Sequence, residues 1–136
     1  MVEINVIYEG ELHCAAVHGP SGSELATDAP VDNQGRGEAF SPTDLVATAL
    51  GSCMATIMGI YARRKQLAIE GTRIRVGKEM SKDLPRRIAR IELRIEVPLP
   101  ADHPQCDALV NAAMTCPVHQ SLHPEIEVPV EWVWAG

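Results

Sequence analysis

The sequence predicts an α+β fold with a largely antiparallel sheet, on three observations. Two pairs of alternating apolar and polar runs, each joined by a short turn, read as β-hairpins. A long charge-free segment between them reads as a buried helix. A short amphipathic helix and a closing strand follow the second hairpin. Hairpins dominate, which separates this pattern from the alternating strand–helix order of a parallel sheet.

In VEINVIYEGELHCAAV, Val2, Ile4, Val6 and Tyr8 alternate, Glu9-Gly10 turns, and Leu12, Cys14 and Ala16 alternate again. HGPSGSE is a loop, ELATD a short third strand, and APVDNQGRGEAF a loop rich in Pro, Asn, Asp and Gly. Gly35 and Gly37 flank Arg36 and give that loop freedom to move. SPTD starts a helix: Ser41 is the N-cap, Pro42 the first helical residue, and Asp44 complements the dipole. The helix runs to about Gln66, with Arg63, Arg64 and Lys65 in its last turn.

GTRIRVGKEM and RRIARIELRIEVPL form the second hairpin, one face wet, with a slip in alternation near Ala89. In the next segment Leu109, Val110, Ala113 and Met114 fall at helical spacing. Pro117 either ends that helix or opens a new short one, PVHQSL. EIEVPVEWVW is a strand, with Pro129 marking an edge or a bulge. The 136 residues contain no internal repeat and suit one domain, 1–136.

A formal charge of −6 argues against a nucleic-acid binder, which needs a basic face. The arginines between Thr72 and Glu96 are interleaved with Glu79, Asp83, Glu92 and Glu96, as on a solvated strand face. The N-terminus lacks the basic start and apolar core of an export signal, so a cytoplasmic location is expected. Cysteines there are more often buried, metal-bound or redox-active than paired in structural disulfides. Of the four, Cys14 and Cys106 fall on apolar faces and read as structural.

The run Leu45–Ala62 carries no charge and reaches the lower length limit for a membrane span. Its glycines, threonines and serine, and the absence of a second such run, favour burial within protein instead. A protomer this small has little material to surround a helix, so a homodimer with this helix near its centre is expected. Gly51, Ala55 and Gly59 recur every four residues and would let two helix backbones approach closely. Cys53 lies mid-run, and Cys116 lies against Pro117 at a helix end, where a thiol can be reactive. Spacing alone does not pair them.

SPTDLVATALGSCMATIMGI, followed far downstream by TCPVHQSL, closely resembles the OsmC/Ohr superfamily over essentially the whole chain. The resemblance implies an OsmC-like fold with a long buried central helix, and an intertwined homodimer with active sites at the subunit interface. It implies a thiol peroxidase that reduces organic hydroperoxides and is reset by an external dithiol, with no cofactor. Cys53 maps to the peroxidatic thiol and Cys116 to the resolving thiol. The family's peroxidases carry a glutamate where Thr43 stands here, and an arginine in the first hairpin, where this chain has none. Arg36 is the nearest upstream cation, with Glu38 or Asp44 available to orient it. Two rival readings belong to other classes. One is a zinc site from Cys116, His119 and His123 with Cys53, which Pro124 disfavours by cutting the helix short. The other is a carrier for a small apolar ligand in the dimer cleft.

Overall fold

In the computed structural model, which describes residues 1–136, the first hairpin forms as its alternation requires. Strands β1 (Ile4–Gly10), β2 (His13–His18) and β3 (Glu24–Asp28) make a three-stranded antiparallel sheet in that order. It belongs to the first of two compact units, Met1–Val46; the second is Ala47–Gly136. Successive strand residues point to opposite faces. Val6 and Ile7 therefore project to both sides of β1, and each is more than 60% exposed in the single chain (62% and 65%).

The loop after β3 turns through a short 3-10 segment, Val31–Asn33. Its glycines do something other than confer mobility. A Cβ on Gly35 would sit 1.8 Å from the Ala29 carbonyl oxygen, so only glycine fits there. Gly37 takes φ 64° and donates its N–H to the same oxygen at 3.2 Å. The expected mobile segment around Arg36 is thus a loop folded tightly onto Ala29.

Helix α1 (Pro42–Lys65) begins as the sequence requires. Ser41 Oγ accepts from the Asp44 N–H at 3.1 Å, and the Asp44 carboxylate accepts from the Ser41 N–H at 2.9 Å. Each group satisfies a donor that the helix start leaves orphaned. At the other end Gln66 turns left-handed at φ 55°. Leu67 N–H then bonds Ala62 O at 2.8 Å and Gln66 N–H bonds Arg63 O at 3.3 Å, closing the last turn.

The second unit packs the body of α1 on a second three-stranded sheet, ordered β4–β5–β6. β4 (Arg73–Met80) and β5 (Ile88–Pro100) are antiparallel. Their register slips because Glu79 faces Arg90 while Met80 faces Ile88, which leaves Ala89 as the extra residue of a bulge. β6 (Val130–Ala135) runs parallel to β5, so this sheet is mixed and the antiparallel expectation fails for its last strand. Pro129 ends just before β6, and its carbonyl accepts from the Leu93 N–H at 3.0 Å. Ile91, Leu93, Ile95, Val97 and Leu99 alternate inward from β5 onto Leu50, Met54 and Met58 of α1 and Leu109 and Ala113 of α2 (Cys106–Met114). On the wet face, Arg90 pairs with Glu92 and Glu127, and Arg94 with Glu96 and Glu131.

Burial of α1 on all sides is not what the single chain provides. Ala47, Leu50, Gly51, Met54, Met58 and Ala62 form one buried stripe. On the opposite side Thr48, Ala49, Ser52, Thr56 and Ile60 are exposed, and none is charged. Gly51 serves the sheet contact rather than a second helix, since a Cβ there would lie 2.9 Å from Val76 Cγ2 and 3.5 Å from Ile74 Cγ2. Two effects oppose each other at this position. Alanine gains up to about 1 kcal/mol in helix propensity, but crowding a packed interface costs about 1–3 kcal/mol. Val76 is β-branched and stiff, so crowding wins. Gly51→Ala should therefore lower stability in urea denaturation, and Gly51→Val should lower it further; a more stable alanine variant would show that the sheet yields freely.

Candidate functional site

A change of helix direction places Cys116. Helix α2 ends with Thr115 as its C-cap, and the Cys116 N–H still bonds Ala113 O at 3.3 Å. Cys116 then takes extended backbone, φ −64° and ψ 149°, and becomes the N-cap of α3 (Pro117–Ser121), with Pro117 at its first position. Its Sγ takes the role a serine oxygen fills at other caps, accepting from the His119 N–H at 3.4 Å. Of the two readings of Pro117, the new short helix is the one observed.

The Cys116 side chain is fully buried, whereas Cys53, near the middle of α1, is only partly buried against the core. The two thiols are neighbours that act on each other, and both are free. Burial is the main cause that pushes the Cys116 thiol up. The hydrogen bond and charge coupling with Cys53 act in the same direction, and the amides of His119 and Val118 pull the other way. Cys116 thus holds its proton beside a more accessible thiol. Two thiols that act on each other in this way are the reactants that dithiol–disulfide exchange requires.

The remaining site residues lie in the first unit. Arg36 pairs with Glu11 at 3.8 Å. The Glu38 N–H donates to Asp28 Oδ2 at 3.1 Å, and the Asp44 carboxylate serves the helix cap. Arg36 and Glu38 share a shallow cavity of about 380 Å³ with Glu9, His13 and Asp28. At its base Asp28, 3% exposed, bonds His13 Nδ1 at 2.6 Å. That hydrogen bond holds the Asp28 carboxyl below its ordinary value, against the opposing effect of burial. No sequence pattern signals this pair, because the β2–β3 register creates it by setting His13 opposite Asp28.

Cys106 is buried and donates its thiol to Pro100 O at 3.4 Å, consistent with a structural role, and burial pushes that thiol up. No group of three or more His, Cys, Asp or Glu side chains is gathered closely enough to hold a metal ion, and Cys116, His119 and His123 do not form such a group. A cleft of about 510 Å³ on the wet face of the second sheet contains no cysteine; its Arg90 and Arg94 are already engaged by carboxylates. His119, named from the sequence only as a rival zinc ligand, lies half-buried beside Cys116. Its ring Nδ1 is buried and has no hydrogen-bond partner.

A candidate osmotic stress induced and detoxification response protein from Psychrobacter arcticus 273-4 is 47% identical, over 97% of this chain and 96% of its own, with a TM-score of 0.91. The organic hydroperoxide resistance protein OsmC from Legionella pneumophila shares the fold at 15% identity, over 98% and 96% of the two chains, with a TM-score of 0.76. An organic hydroperoxide resistance protein from Elizabethkingia anophelis shares it at 14% identity, over 99% and 96%, with a TM-score of 0.79. No curated protein matches. The model of the OsmC-like protein family matches residues 35–131, a span that runs from the loop before α1 through the Cys53–Cys116 pair to β6. With its α+β architecture and its long cysteine-bearing helix, the chain belongs to the OsmC-like family.

Proposed function

We propose that this protein is a thiol peroxidase that reduces organic hydroperoxides to alcohols. The observation that carries the reading is the unequal thiol pair, a partly buried Cys53 neighbouring a fully buried Cys116 whose thiol is pushed up by burial. The Cys53 thiolate attacks the distal oxygen of ROOH; the O–O bond breaks, ROH leaves after taking a proton, and Cys53 becomes a sulfenic acid. The Cys116 sulfur displaces hydroxide from Cys53, giving a disulfide and water. An external dithiol then returns both thiols. Cys53 packs against an apolar core cluster, which suits hydrophobic peroxides better than hydrogen peroxide. The names of the Legionella and Elizabethkingia proteins point the same way.

The working unit is proposed to be a homodimer in the cytoplasm. The uncharged exposed side of α1 and the bare apolar faces of β1 support a second copy as cover. The test of the chemistry is a thiol count. One equivalent of cumene hydroperoxide should remove the Cys53 and Cys116 thiols together, and dithiothreitol should restore them. Thiols that survive excess peroxide would overturn the peroxidase reading in favour of a binding role.

A further inference from the structure

His119 has no part in the cycle above, yet it sits on it. Its backbone N–H already touches Cys116 Sγ, so its imidazole is tethered within a side chain's length of the thiol pair. Native proteins rarely leave a buried polar nitrogen such as this Nδ1 without a partner, and an exception calls for an explanation. Cys116 poses the complementary problem. It must lose its proton to act as a nucleophile, and it is wholly buried away from bulk water. The titratable group that acts on it is Cys53, itself a reactant.

We propose that His119 is the proton shuttle that lets Cys116 close the disulfide with Cys53. The inference rests on the thiol-pair reading above. His119 takes the Cys116 proton at Nδ1 through one bridging water, a span general bases commonly bridge in resting enzymes. The Cys116 sulfur attacks the Cys53 sulfur, the S–S bond forms and the S–O bond of the sulfenic acid breaks. The departing hydroxide takes the proton back from the imidazolium and leaves as water. Cys116 is oxidised, the sulfenic sulfur of Cys53 is reduced, and His119 ends as it began. A ring nitrogen left unpaired in the dithiol state is what such a shuttle requires.

The test separates ring closure from peroxide chemistry. In a Cys14→Ser, Cys106→Ser background, dithiodipyridine reacts first at the accessible Cys53, releasing one thiopyridone. Cys116 then expels the second, and the second phase reports closure alone. His119→Gln and His119→Phe should leave the first phase unchanged and slow the second by on the order of tenfold to a hundredfold. In both variants the second phase should rise with pH more steeply than in the wild type, because only the Cys116 thiolate can then attack. A second phase of wild-type rate and pH profile in both variants would overturn the shuttle, as would a wild type with no second phase. Inertness toward hydroperoxide with normal two-phase release would instead overturn the peroxidase reading and leave the shuttle supported.

Discussion

Cys53→Ser should abolish turnover of cumene hydroperoxide in the presence of a dithiol, a loss on the order of a thousandfold or more, as when a covalent nucleophile is removed. A serine hydroxyl in the same place is isosteric but stays protonated at neutral pH, so it presents no anion to the peroxide oxygen. Cys116→Ser should behave differently. Cys116 is fully buried, and its role follows the first attack, so that variant should consume one equivalent of peroxide and stall as a Cys53 sulfenic acid. Trapping with dimedone and intact-mass measurement distinguishes the two. Full turnover in Cys53→Ser would remove the proposed cycle. A first attack lost equally in both variants would show that the thiols act as one unit from the start. Position 53 is also tolerant enough for the comparison to be fair: Cys53 is only partly buried, and serine neither opens a large cavity nor adds bulk.

Much of the fold is legible because it is local. Ser41, Pro42 and Asp44 announce the α1 cap through side-chain chemistry within one turn, and the structure forms both reciprocal hydrogen bonds. The slip at Ala89 shows in the alternation itself, because an extra residue shifts every later side chain to the other face. What the sequence hides is decided at long range. The direction of β6 depends on which edge of β5 it reaches, and its apolar alternation is the same either way. Gly35 looks like a source of freedom and Gly51 like a contact for a second helix, yet Gly35 is held against Ala29 and Gly51 against Val76 of β4. Cys53 and Cys116 could be nominated by motif but not paired by spacing. Their meeting depends on the α2–α3 corner and the packing of α1 on the second sheet. His119 could be nominated in the same way, as a candidate ligand three residues after Cys116, but the burial of its ring nitrogen follows only from packing.

The same division between local and long-range information governs α1. In the single chain α1 buries one stripe and leaves Thr48, Ala49, Ser52, Thr56 and Ile60 exposed, a face of small or apolar residues without a charge. β1 adds Ile4, Val6, Ile7 and Tyr8, each more than 60% exposed. Scattered apolar residues are ordinary on a surface, but two continuous tracts in one small chain are not. Obligate homodimers commonly bury about 2,000 Å² or more, largely apolar surface. The wild-type protein should therefore scatter light as about twice the 14.8 kDa chain mass at micromolar concentration. Ser52→Arg places a charge in the middle of the proposed contact, where an unpaired buried charge costs several kcal/mol. That variant should fall to the monomer mass or fail to fold cooperatively. Lys82→Glu, an exposed change in the turn between β4 and β5, should leave the mass unchanged. A wild type that runs as a monomer and melts cooperatively would mean that the uncharged face of α1 is stable in water. Cover by a second copy would then no longer explain why a small acidic protein carries a helix of this kind.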